Sequence, residues 1–171
     1  MTQTLNAAAI VDVLNRHGVR FIVIGAFAAI AQHAPIPATR DIDLTPDSSA
    51  ENLGHLSTAL KELGARIRTD EVIEGLPFEH DGRSLGALSV WNLICPFGEF
   101  DISFMPSGIA GGYEELARKA HTMRVDNVFV LVADLSDVIR SKEAAGRPKD
   151  IQVLPILYRF DRQLRENGPK S

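Results

Sequence analysis

The tightest constraint on this chain lies between residues 20 and 44. Phe21-Ile22-Val23-Ile24 is a run of β-branched and aromatic residues, a composition that suits a strand, and it ends in the small pair Gly25-Ala26. Gly25 to Gln32 is apolar and alanine-rich and reads as a buried helix, which Ala34-Pro35-Ile36-Pro37 closes as a loop. Thr39 to Leu44 then returns as a second strand. Strand side chains alternate faces, so Ile42 and Leu44 point into a core while Asp41 and Asp43 share the opposite face. A buried strand–helix–strand unit that must also carry two carboxylates on one sheet face needs helices packed around a sheet.

The rest of the chain supplies them. Leu5 to His17 has helical spacing, with Gly18 as its stop. A second helix is predicted after Pro46, with Ser48 and Glu51 at capping-box spacing, an apolar face of Leu53, Leu56, Leu60 and Leu63, and Gly64 as its end. Residues 65–68 and 87–94 are strand candidates, while residues 69–86 show no clear period. Glu99 to Phe104 is another strand, forming a hairpin with its predecessor around Phe97-Gly98. A short helix follows over 113–120, then a strand or tight strand pair around Asp126-Asn127. Asp134 or Ser136 caps a helix that runs to Ala145 and stops at Gly146. Pro148 opens a last helix, and Pro155, lacking an amide hydrogen, is expected to kink or split it. The expectation is a single α/β (α+β) domain over 1–171, with a mixed sheet core over about 20–133 and C-terminal helices over about 134–168.

Composition narrows the function. The 171 residues suffice for one real core. The net charge of −4 argues against a broad basic coat for nucleic acid, though not against recognition of a phosphate or an RNA end. The single cysteine, Cys95, excludes an internal disulfide and a cysteine-built metal site, and its apolar neighbours suggest a buried thiol. The five histidines lack zinc-site spacing. No run approaches the ~20 apolar residues of a membrane span. Met1 to Asn6 lacks the form of a signal peptide, so a cytoplasmic location is expected, without membrane partners.

A third carboxylate completes the pattern. In Glu99-Phe100-Asp101-Ile102-Ser103-Phe104, the aromatic and aliphatic residues take the core alternation, which puts Asp101 on the opposite face with Glu99 and Ser103. A charge inside an apolar strand needs a partner. If this strand lies beside Asp41 and Asp43, three carboxylates converge, and like charges held together suit hard divalent cations such as Mg2+. Gly25-Ala26, at a strand end before a helix, lets backbone amides approach a phosphate.

This combination resembles the minimal nucleotidyltransferases of the DNA polymerase β superfamily. Their pattern is a glycine pair, a helix, an apolar-Asp-apolar-Asp strand and a third Asp on a later strand; it is matched here by Gly25-Ala26, Asp41-Ile42-Asp43-Leu44 and Phe100-Asp101-Ile102. Two further segments, Gly111-Gly112-Tyr113-Glu114-Glu115-Leu116 and Asp137 through Asp150, are similar to the C-terminal half of the AbiEii-type branch, many of whose members are toxins of toxin–antitoxin pairs. The resemblance implies an enzyme that transfers a nucleoside monophosphate from an NTP to an acceptor hydroxyl on an RNA 3′ end such as that of a tRNA, a protein or a small molecule. It implies two Mg2+ ions on Asp41, Asp43 and Asp101, which are also the catalytic residues. It further implies nucleotide binding by Gly25, Ala26 and Lys142, with Lys149 and Asp150 as additional candidates, and an antitoxin partner. Lys149-Asp150 also reads as a helix start favoured by the dipole. The chain departs from the family at Ala26, where the usual second residue is Gly or Ser, so this position offers only its amide. That departure supports the alternative expectation, a non-catalytic nucleotide- or protein-binding module on the same scaffold.

Overall fold

A computed structural model describes residues 4–168. Seven strands form one mixed sheet: β1 (Phe21–Ile24), β2 (Asp41–Pro46), β3 (Arg66–Ile67), β4 (Val90–Cys95), β5 (Gly98–Ser103), β6 (His121–Val125) and β7 (Val128–Val132). Their spatial order is β3-β4-β5-β2-β1-β7-β6. The pairs β2/β5 and β1/β7 are parallel, and the other neighbours are antiparallel. The helices are α1 (Ala7–Arg16), α2 (Gly25–Ala31), α3 (Ala50–Leu63), α4 (Gly82–Gly86), α5 (Gly112–Ala117), α6 (Leu135–Ala145) and α7 (Pro148–Asn167). The α/β architecture read from the sequence is the one found.

Helix boundaries follow local chemistry. The Asn6 side chain accepts the Ala9 amide at the start of α1, and the Asp134 side chain accepts the Ser136 amide at the start of α6. Gly64 and Gly146 end α3 and α6 in the left-handed conformation. The cap of α3 is Ser49 rather than Ser48: its hydroxyl accepts the Asn52 amide, and Asn52 in turn accepts the Arg20 amide. That tertiary bond fixes which serine starts the helix.

Three other expectations are revised or resolved. Residues 69–86 contain a turn of helix, α4, whose Asp81 and Ser84 form a reciprocal capping box. The segment around Asp126-Asn127 is a hairpin of two strands, with Asp126 at φ 51° in its turn. Pro155 lies inside α7 without splitting it. The carbonyl that this proline deprives of a donor belongs to Ile151, which is 60% exposed, so water can take the lost bond.

All four residues of β1 are buried, so the centre of the sheet is covered on both faces. Ile42, Leu44, Phe100 and Ile102 pack in the same core as Ile10 and Leu14 of α1 and Leu56 and Leu60 of α3, and Cys95 is a buried free thiol. On the other face, Ile22, Ile24 and Thr45 are buried too. Cover on that face thins past β2: Glu99, Asp101 and Ser103 of β5 are part-exposed, and Val90 and Asn92 of β4 are exposed. The boundary between covered and open sheet therefore falls at the carboxylates. No helix among the described residues is long and apolar enough to cross a membrane.

Candidate active site

Parallel pairing of β2 with β5 sets Asp43 opposite Asp101 and Asp41 opposite Glu99. Because paired residues share a face, Asp41, Asp43 and Asp101 converge. Each offers a carboxylate oxygen, and the three oxygens lie within 4.8 Å of one another.

Each carboxylate is held differently. Thr39 donates its hydroxyl to Asp41 Oδ1 at 2.9 Å. Arg68 donates Nη2 to Asp101 Oδ1 at 2.7 Å. Asp43 has no hydrogen-bond donor among the described residues and packs against the backbone of Gly25 instead. Gly25 sits at φ 77°, and a Cβ there would stand 2.2 Å from Asp43 Oδ2. The glycine at the end of β1 thus does two jobs. It permits the left-handed turn into α2, and it leaves room for the carboxylate of the neighbouring strand.

Electrostatics follow from this crowding. Burial, then the charges of Asp41 and Asp101, push the Asp43 carboxyl up to about 7. Burial also raises Asp101, which the Arg68 guanidinium opposes and Asp41 reinforces, leaving it at about 6. Lys149 and Lys142 act on Asp43 in the opposite sense by their positive charge.

The basic turn between α6 and α7 therefore borders the acidic cluster, but its residues differ in availability. Lys142 is buried and pairs with Asp150 Oδ1 at 3.2 Å. Asp150 is fully buried and also accepts the Arg147 Nε at 2.8 Å and the Arg147 amide at 3.2 Å. Lys142 and Asp150 are thus engaged with each other beneath the turn. Lys149 is exposed, with no ion-pair partner among the described residues. Ala26 lies in the first turn of α2, beside Gly25. Sequence reasoning missed Arg68 and Thr39. Thr39 stands two residues before Asp41, a spacing that could have revealed it, whereas Arg68 reaches the cluster only through strand register.

The donor set fits a divalent cation. It consists of three hard oxygens within reach of one centre, one of them without a donor, and their mutual repulsion is already visible in Asp43. Histidine and cysteine, the ligands of softer ions, are absent from the cluster.

No protein-family model matches the sequence, and no curated protein does. Solved structures do. A provisionally assigned nucleotidyltransferase from Thermotoga maritima superposes with a TM-score of 0.55 at 15% identity, over 96% of this chain and 98% of that one. The antibiotic-resistance factor ANT(2'')-Ia superposes in its solution structure with a TM-score of 0.52 at 14% identity, over 86% of this chain and 78% of that one. Its crystal structure in complex with adenylyl-2''-tobramycin gives 0.51 at 15% identity, over 86% and 83%. At these identities the likeness is one of fold, and that fold is the nucleotidyltransferase-like mixed sheet.

Proposed function

We propose that the chain is a Mg2+-dependent nucleotidyltransferase that moves a nucleoside monophosphate from an NTP to an acceptor hydroxyl and releases pyrophosphate. The observation that carries this reading is the convergence of Asp41, Asp43 and Asp101 across the parallel β2/β5 pair, with Gly25 clearing space for Asp43. The three carboxylates would hold two Mg2+ ions, which supply neutralisation of the triphosphate and of the leaving pyrophosphate.

The chain's own residues account for the rest. The amides of Gly25 and Ala26, with the exposed ammonium of Lys149, bind phosphate oxygens. The buried Arg147–Asp150–Lys142 network holds the turn that presents Lys149. Asp101, at the open edge of the cluster and raised toward neutrality, accepts the acceptor's proton as its oxygen bonds to the α-phosphorus and the bond to the β-phosphate bridge breaks. The open face of β4 and β5 is where an acceptor reaches Asp101. ANT(2'')-Ia, seen with an adenylylated aminoglycoside, supports a hydroxyl acceptor in general terms. A toxin role with an antitoxin partner rests on the resemblance of the 111–116 and 137–150 segments alone.

Titration calorimetry of ATP with and without Mg2+, joined to transfer of label from α-labelled ATP onto RNA, protein and aminoglycoside acceptors, tests the proposal. ATP binding should require Mg2+ and vanish in Asp101→Asn and Asp43→Asn. Metal-independent binding, or binding that survives both substitutions, would overturn it.

A further inference from the structure

Arg68 follows β3 at the open edge of the sheet and reaches across β4 to the carboxylate cluster. Its amide bonds to Asn92 O at 2.9 Å, its Nη1 to Leu93 O at 3.3 Å and its Nη2 to Asp101 Oδ1 at 2.7 Å. Glu99 stands 3.9 Å from Nη1. The Arg68 side chain is 25% exposed, against 48–72% for the chain's other ion-paired arginines. Arg68 is therefore anchored to β4 by its own amide and by one guanidinium nitrogen, with the other nitrogen aimed at one carboxylate, unlike the mobile ion pairs of an exposed surface.

We infer that Arg68 is the positioning residue of the candidate active site: it fixes the orientation of Asp101 and sets the net charge that the three carboxylates present to divalent ions. This rests on the nucleotidyltransferase reading for its catalytic half only. Asp43 and Asp101 face each other across the β2/β5 seam, and Asp101 is the one carboxylate of the cluster whose outer side meets open sheet. Among the described residues, the guanidinium is the hydrogen-bond donor that reaches the Asp101 carboxylate from the β4 side. One oxygen of Asp101 is taken by Arg68, which leaves the other for an ion or an acceptor proton. A lysine would supply the charge but not the fork that spans the Leu93 carbonyl and the carboxylate together.

Charge and orientation make opposite predictions when Arg68 is replaced. Removing the positive charge strengthens divalent binding by about fivefold, the upper scale of a solvent-screened ion pair. Losing the orientation lowers transfer. The experiment is Mg2+ and Mn2+ titration calorimetry on the full chain for wild type, Arg68→Met and Arg68→Lys, with α-labelled ATP transfer measured in parallel. Arg68→Met should bind the ions more tightly while turning over at least about tenfold more slowly. Arg68→Lys should keep wild-type ion affinity and still turn over slowly. Weaker ion binding in Arg68→Met, accompanied by a lowered melting temperature, would make the contact structural and overturn the inference. So would unchanged ion affinity in Arg68→Met, or wild-type turnover in either variant. If wild type itself transfers no label, the proposed function fails, and the ion affinities of the three proteins still decide the charge role of Arg68.

Discussion

Asp43→Asn should stabilise the metal-free protein at alkaline pH while destroying its capacity to bind ions. The Asp43 carboxyl rises from an ordinary 3.8 to about 7 because it is buried and stands beside Asp41 and Asp101. The folded state therefore holds this proton more tightly than the unfolded chain does. The stability it contributes is complete below about pH 4 and is lost as pH rises through 7. A shift of that size corresponds to about 4 kcal/mol at most. Asp101 titrates in the same field and its charge raises Asp43, so the two shifts do not add. At pH 5 Asp43 is protonated in the folded state but already ionised in the unfolded one, so asparagine, close to the protonated carboxyl in shape and polarity, should stabilise the variant by only about 1–2 kcal/mol. At pH 8 in EDTA, the variant should be more stable by about 2–4 kcal/mol, or about 5–15 °C in melting temperature for a chain of this size. Urea unfolding at both pH values measures the double difference. Mg2+ at a hundredfold excess over its Kd should return about 2.7 kcal/mol to wild type and nothing to the variant. A variant no more stable at pH 8 than at pH 5, relative to wild type, would refute the picture of uncompensated charge at Asp43.

Two further substitutions probe the parts around that charge. Gly25→Ala forces a Cβ into the space of Asp43 Oδ2 at φ 77°; it should cost about 1–2 kcal/mol in urea unfolding from the backbone alone and weaken Mg2+ binding in calorimetry, and wild-type ion affinity would show that Asp43 moves away without penalty. Lys142→Met leaves the buried Asp150 with Arg147 as its one ion-pair partner among the described residues; it should lose about 3 kcal/mol of stability yet retain ion binding, whereas lost ATP affinity at unchanged stability would mean that the Lys142 ammonium serves the nucleotide.

The carboxylates themselves were legible because strand alternation is local. Asp41 and Asp43 share a parity, and Asp101 shares its face with Glu99 and Ser103, whatever the rest of the chain does. Their meeting was not legible, since it depends on β2 and β5 pairing in one particular register. Arg68 was hidden for the same reason: it follows a strand of two residues, and its target lies two strands away. The Lys142–Asp150 ion pair was hidden because helical spacing says nothing of Asp150, which the turn at Gly146 folds back beneath Lys142. Ser48 and Ser49 are equally good caps in sequence, and the long-range bond from Arg20 to Asn52 decided between them.

The two parallel pairings also set when the site comes into being. The hairpins β4/β5 and β6/β7 close over short loops, but β2 meets β5, and β1 meets β7, only across long stretches of intervening chain. Such non-local pairings are the slow ones, because loop entropy is spent before contacts repay it. Asp43 and Asp101 belong to opposite sides of one such seam, so a partly folded chain with every hairpin formed still has no cluster to offer. A divalent ion is then a ligand of the finished topology alone. Its binding should slow unfolding without hastening the early steps of folding, and the chain would reach its working state in the same event that completes its sheet.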